Sequence, residues 1–310
     1  MKPGMFLLPV IFLATASCRP QSGAAMSRTD SNIVARREAR LARALASPDT
    51  GKGQQVALAK WHLPKELSEV SGSALSADDR LFTHGDETAR VFEVAYRTGR
   101  MVGSFSLGSQ PVKGDFEAIT SVGDSLYLLT SDGLLYQFAP GKNGDNVPYT
   151  KIDTGLKEAC EFEGLTFDPA RSSFLLLCKN VFTKGALKDS LVIYQVRHGA
   201  AHDSAAGDSA RTRITTPLAP IIGPNDWKSL HPSDITVDPV KGNYVIVAAD
   251  ERALVEITPT GELVEARALG KGLAHVEGVA ITKDHLLILS TEGDEKVKPA
   301  ITLYRWPERR

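Results

Sequence analysis

The sequence predicts an all-β fold, a β-propeller of five four-stranded blades whose last blade is closed by a strand from the N-terminal side. Three observations predict it. First, an acid, a small residue and an apolar strand recur along the chain, at Glu69 ("EVSGSAL"), Glu117 ("DFEAITSV"), Glu163 ("CEFEGLTF"), Asp234 ("HPSDITVD") and Glu277 ("HVEGVAIT"). Second, the acids are spaced by 48, 46, 71 and 43 residues, and a strand-rich repeat in the forties marks a propeller. Third, each unit continues through a short turn into a second apolar run: "RLFTH", "SLYLLT", "FLLLCK", "NYVIVAA" and "HLLILS".

The chain opens with Lys2 and the apolar run "MFLLPVIFLA". That run is shorter than the ~20 residues of a membrane span, so residues 1–17 read as a secretory signal peptide. "ATASC" resembles a bacterial lipobox, with Thr15 in place of the usual leucine. On that resemblance Cys18 is lipidated, and Arg19 after it suits outer-membrane sorting. Plain secretion and an uncleaved anchor are the alternatives. Residues 18–54 read as a lipid-anchored linker. A basic helix is expected there, with Ile33, Val34, Leu41 and Leu45 near one side, as a solvated spacer or in contact with anionic lipid head groups.

Residues 55–310 form the expected propeller domain. "QQVALAKWHL" has no blade of its own, while the last unit ends at its third strand, "AITLYRW". An open ring would expose a strand edge, so residues 55–63 are expected to complete the last blade. Units one and four continue as paired strands around Thr-Gly turns, where glycine supplies the positive φ of a tight hairpin. The long spacing in unit three is filled by "RHGAAHDSAAGDSA", a polar surface insertion. A sixth, degenerate blade within 197–232 is the alternative.

The 310 residues are 42% hydrophobic and 24% charged, an ordinary globular composition. A net charge of −1 argues against a nucleic-acid partner. Residues 1–60 hold nine Lys/Arg against three Asp/Glu, and the other 250 hold 27 against 34, so the leader is basic and the body acidic. With Cys18 assigned to lipid, Cys160 and Cys178 lie on opposite arms of one hairpin. An oxidising compartment permits a disulfide there, worth about 3 kcal/mol in the chain-entropy model. Two buried free thiols are the alternative.

In a propeller the first strand of each blade is innermost, and its start shares a face with the loop joining the second and third strands. Glu69, Glu117, Glu163, Asp234 and Glu277 are therefore expected to ring one mouth of the central channel. The loops add Asp86, Glu87, Asp132, Asp250, Glu251 and Glu292, with Trp227 near the same rim as a stacking platform or simple loop packing. Lys179 is the main opposing charge. Converging carboxylates must raise their pKa, find donors or bind a cation. Two readings stand: the acids cap loop amides, or two or three of them hold a hard cation. Oxygen ligands without His or Cys favour Ca²⁺.

No nucleophile elbow, zinc-protease helix, C-x-x-C or P-loop is present. A binding or scaffold module, monomeric, is expected over an enzyme. In the enzyme alternative Glu117, Glu163 and Glu277 hold a metal and Lys179 polarises an ester, lactone or phosphoester, as in phytase-like or lactonase-like propellers.

The segments "LSEVSGSAL", "DETARVFEV", "DFEAI", "CEFEGLTFDP", "HPSDITVDP" and "EGVAI" in this order resemble the SdiA-regulated family of bacterial envelope β-propellers, over roughly residues 60–306. The resemblance implies a propeller in the bacterial cell envelope; the lipobox reading adds a lipid anchor to a membrane, and the acidic face an unidentified small ligand or envelope protein as partner. The resemblance implies no defined reaction.

Overall fold

A computed structural model of the chain describes residues 28–48, 56–182, 186–201, 211–270, 272–294 and 296–307. Residues 1–17, read above as a signal peptide, and Cys18 lie outside the described residues. Among those described, no helix is long and apolar enough to cross a membrane.

Helix α1 spans Arg28–Ala46, and β1 (Ala59–His62) follows. Blade one contains β2 (Val70–Leu75), β3 (Leu81–Gly85), β4 (Arg90–Ala95) and β5 (Arg100–Leu107). Blade two contains β6 (Phe116–Val122), β7 (Ser125–Thr130), β8 (Leu134–Phe138) and β10 (Tyr149–Asp153); the two-residue β9 (Asn146–Val147) pairs with β5. Blade three contains β11 (Cys160–Asp168), β12 (Ser173–Val181), β13 (Ser190–Arg197) and β14 (Arg211–Pro217). Blade four contains β15 (Pro232–Val237), β16 (Tyr244–Ala248), β17 (Ala253–Ile257) and β18 (Leu263–Ala268). Blade five contains β19 (Val276–Ile281), β20 (Leu286–Thr291), β21 (Ala300–Arg305) and, as its outer strand, β1.

The innermost strands β2, β6, β11, β15 and β19 pack on one another in a closed circle. Five blades and N-terminal closure are thus as the repeat predicts. The alternative sixth blade does not form. Its segment supplies a helical turn at His198–Ala201, β14 and a short helix, Ala219–Ile222, while residues 202–210 lie outside the described set.

The core is divided into five clusters, each filling the space between two neighbouring blades. A middle strand therefore buries both faces. This is why "FLLLC" in β12, "YVIVA" in β16 and "LLIL" in β20 are continuous apolar runs with every residue buried. Outer strands have one free face and alternate, as β14 does.

The Asp-Pro turns also join blades. Asp168 accepts the backbone N–H of Ala170 and, at 2.7 Å, the hydroxyl of Tyr244 in the next blade. Asp238 accepts the N–H of Val240 and, at 2.6 Å, the indole N–H of Trp306.

Ring closure is built from four antiparallel pairs, Ala59↔Leu303 through His62↔Ala300. Here the linker departs from a solvated spacer. Leu41 of α1 is 2% exposed and joins the cluster between blades five and one, with Leu45 packed beside it. Arg37 donates to the Thr98 carbonyl at 2.6 Å, and the guanidiniums of Arg37 and Arg40 lie 5.2 and 5.9 Å from the centre of the Trp61 ring. Arg305 donates to the Ala44 and Leu45 carbonyls at the helix end. One apolar stripe thus suffices to dock α1 across the closure seam.

The glycine after Glu277 also has a reason. Successive inner strands approach so closely there that a Cβ on Gly278 would overlap Ser290 Oγ and stand 2.7 Å from Ser73 Oγ. Those two hydroxyls hydrogen-bond at 2.9 Å across the seam between blades five and one. Gly278→Ala is expected to cost about 1–3 kcal/mol as an overpacking change. A thermal melt indistinguishable from the parent would refute this reading of the contact.

Candidate functional site

The acids enter the channel mouth through β-bulges, in which a residue skipped by the ladder is re-aimed. Pairing steps from Phe116↔Thr130 to Ala118↔Leu129, leaving Glu117 without a partner. It steps likewise around Glu163, from Phe162↔Cys178 to Gly164↔Leu177, and around Glu277, from Val276↔Thr291 to Gly278↔Ser290. β12 has its own irregularity: Glu161 pairs Asn180 and Phe162 pairs Cys178, so Lys179 is skipped too.

Lys179 Nζ donates to Glu163 Oε1 in an ion pair whose carboxylate is only 8% exposed. The disulfide Cys160–Cys178, with Cα atoms 5.8 Å apart, ties the two irregular strands together directly beside this pair. The thiols are thus bonded, as the shared hairpin allowed.

The other two predicted channel acids are not equivalent to these three. In blade four the skipped residue is Ser233, and Asp234 is paired with Val247. Asp234 is fully buried; it accepts the N–H of Ile235 and, at 2.9 Å, that of Val279 in the next blade. It therefore pins inner strands together. Burial raises its pKa well above the ordinary value, against those backbone donors. In blade one the bulge falls on Ser71 and Gly72, while Glu69 precedes β2 and is exposed. One- and two-residue offsets move these acids out of the shared position, because "acid, small, apolar" can be aligned in more than one register.

The three bulged glutamates are electrostatically bound together. Burial, then the charge of Glu163, raises the Glu117 carboxyl to about 9; Lys179 opposes the rise. Burial, then Glu163 and Glu292, raises Glu277 to about 8, again opposed by Lys179. Burial also lifts Glu163, opposed by the hydrogen bond and charge of the Lys179 ammonium in contact with it. Glu117 and Glu277 are therefore shifted towards the protonated form, while Glu163 shares its proton balance with the Lys179 ammonium.

The rim acids divide. Glu292 is raised by burial and by Asp86 and Glu69, and lowered by His275, which gathers these groups on the side of blades five and one. Asp86 accepts the backbone N–H of exposed Glu87 at 2.8 Å. Asp132 accepts from Thr130 Oγ1 at 2.6 Å and faces Lys157 at 3.8 Å. Glu251 has its side chain 7% exposed and takes the backbone N–H of His231 and Ser229 Oγ. His231 Nδ1 lies 2.9 Å from Glu251 and 3.3 Å from Asp250. Trp227 is half-buried and packs against the cluster between blades three and four.

Sequence reading passed over His84. It is wholly buried, its Nδ1 lies 2.9 Å from the Gly85 carbonyl, and its Nε2 has no hydrogen-bond partner. That nitrogen lies beside Gly72 at the seam between β2 and β6; a Cβ on Gly72 would meet it at 3.0 Å. Burial lowers its pKa to about 4, so it is neutral. The signal available was its place at the end of the second apolar run of unit one, one step from the mouth loop.

No protein-family model matches the chain, and no curated protein matches its sequence. Similar folds are found among solved structures. The glutaminyl cyclase of Myxococcus xanthus superposes with a TM-score of 0.53 at 12% identity, covering 81% of this chain and 95% of that one. The PQQ-bound aldose sugar dehydrogenase of Streptomyces coelicolor superposes with a TM-score of 0.51 at 13% identity, covering 82% and 99%. At these identities the likeness is one of fold alone, and the chain is a five-bladed β-propeller.

Proposed function

We propose that the protein is a lipid-anchored binding module of the bacterial cell envelope, of the SdiA-regulated kind. Its channel mouth takes a hard cation, Ca²⁺ in the first instance, or the cationic group of a small ligand. The observation that carries this is the set of three bulged glutamates around Lys179, with burial and mutual repulsion raising Glu117 and Glu277 and only one ammonium to oppose them. A dication supplies further opposing charge and displaces the protons.

As the side chains stand, no group of three His, Cys, Asp or Glu among the described residues is placed to hold a metal ion. Cation binding therefore requires Lys179 to release Glu163. The test follows from this competition. Ca²⁺ at about a hundred times its Kd adds about 2.7 kcal/mol to stability, which is about 5–10 °C for a domain of this size. Lys179→Met is expected to tighten Ca²⁺ about tenfold, or about 1.4 kcal/mol. Melts unchanged by Ca²⁺ in both the parent and Lys179→Met would sink the cation reading. Metal-assisted ester hydrolysis draws on the same four side chains, and no separate observation favours it; there Lys179→Met would abolish turnover.

A further inference from the structure

We infer a second binding site, for an organic anion with an apolar body such as a medium-chain carboxylate, in the cleft between blades three and four beside the mouth. The cleft holds about 640 Å³, within the roughly 300–1,000 Å³ of small-molecule sites. The end of β12, the start of β13, the short helix Ala219–Ile222 and the approach to β15 wall it.

Two features of its lining point to this ligand class. The first is charge. Lys188 and Lys228 face one carboxylate, Asp189, in the lining, where Lys179 is already paired with Glu163 of the mouth. Lys188 and Lys228 are exposed and pair with no carboxylate among the described residues. This cationic wall stands out on a body that carries more Asp/Glu than Lys/Arg, and it attracts anions while the mouth beside it attracts cations.

The second is the apolar wall. Leu191 and Leu230 are buried, and Leu218 and Ile222 are half-buried, together at one side of the cleft. Hydrocarbon laid there leaves water while the head group meets ammonium groups. A bare inorganic anion would leave that wall wet, and an uncharged hydrocarbon would leave the lysines unanswered.

The probe is decanoate, titrated calorimetrically into the full chain below its micellar concentration, against decanol and decylammonium. Decanoate is expected to bind at least about tenfold tighter than either control. The paired change Lys188→Glu and Lys228→Glu, at two exposed positions, is expected to weaken decanoate by about tenfold or more without moving the melting temperature. Ile222→Gln is expected to weaken it through the apolar wall. Equal affinity for the three probes, no binding of decanoate, or full binding by the lysine double variant overturns the proposal. Glu117→Gln, which alters the mouth, should leave decanoate affinity unchanged. The two sites can therefore fail separately.

Discussion

Trp61→Ala is expected to lower the stability of the propeller by about 3–5 kcal/mol, the range for truncating a buried large aromatic side chain. Trp61 is 3% exposed at the centre of β1 and pairs with Ile301. Its side chain lies against Gly99, whose φ of +66° and missing Cβ leave room for the ring. Arg37 and Arg40 cover the other approach. The residue thus joins α1, the outer strand of blade five and the hairpin of blade one. Its loss leaves a cavity at the one place where the ring is closed by non-contiguous chain. The midpoint of a thermal melt should fall by about 10 °C, and amide exchange should accelerate first in β1 and β21. A loss below about 1 kcal/mol would show that closure does not depend on this contact.

Stability is expected to fall as the pH rises from 7 to 9, because of the mouth glutamates. Their folded pKa values, about 9 for Glu117 and about 8 for Glu277, lie above the ordinary carboxyl value. The folded protein therefore retains protons that the unfolded chain has already lost. The stabilisation is complete below the unfolded pKa and disappears as the pH passes the folded values. Over this interval the full effect is about 4 kcal/mol. His84, lowered to about 4, acts in the opposite direction and only below about pH 6.5. The double variant Glu117→Gln, Glu277→Gln should flatten the alkaline limb, as followed by melts at pH 7, 8 and 9. An equally steep alkaline limb in that variant would place the responsible groups elsewhere. Saturating Ca²⁺ should reverse the slope, since deprotonation then favours binding.

Fold legibility had a simple cause. Each blade repeats the same local chemistry: an apolar inner strand, a turn and a middle strand buried on both faces. The period of that pattern survives in the sequence even where the loops differ. Closure by β1, within the expected segment, was legible because the last unit lacked a strand and the segment before unit one had no partners. The docking of α1 was less so, because Leu41 and Leu45 on an otherwise basic helix suit solvent or lipid as readily as a protein seam.

The site was legible in part. Glu117, Glu163, Glu277 and Lys179 were all named from sequence and meet at the mouth. Asp234 and Glu69 were placed beside them by a motif that tolerates slippage. A bulge adds one residue to a ladder without any required residue type, so no pattern of letters locates it. His84 was missed because a histidine between an apolar run and a glycine looks the same whether it faces solvent or the seam between two blades.

By itself, then, the sequence determined the number of blades, the direction in which the chain closes them and the hairpin in which the two bonded cysteines lie, because periodic burial leaves a periodic trace. Tertiary structure decided which carboxyls share a field, which one is locked among backbone amides and where a cationic cleft adjoins an acidic mouth. Those outcomes depend on ladder irregularities and on the approach of strands remote in the chain, to within a few ångströms, and electrostatic coupling changes steeply over that distance.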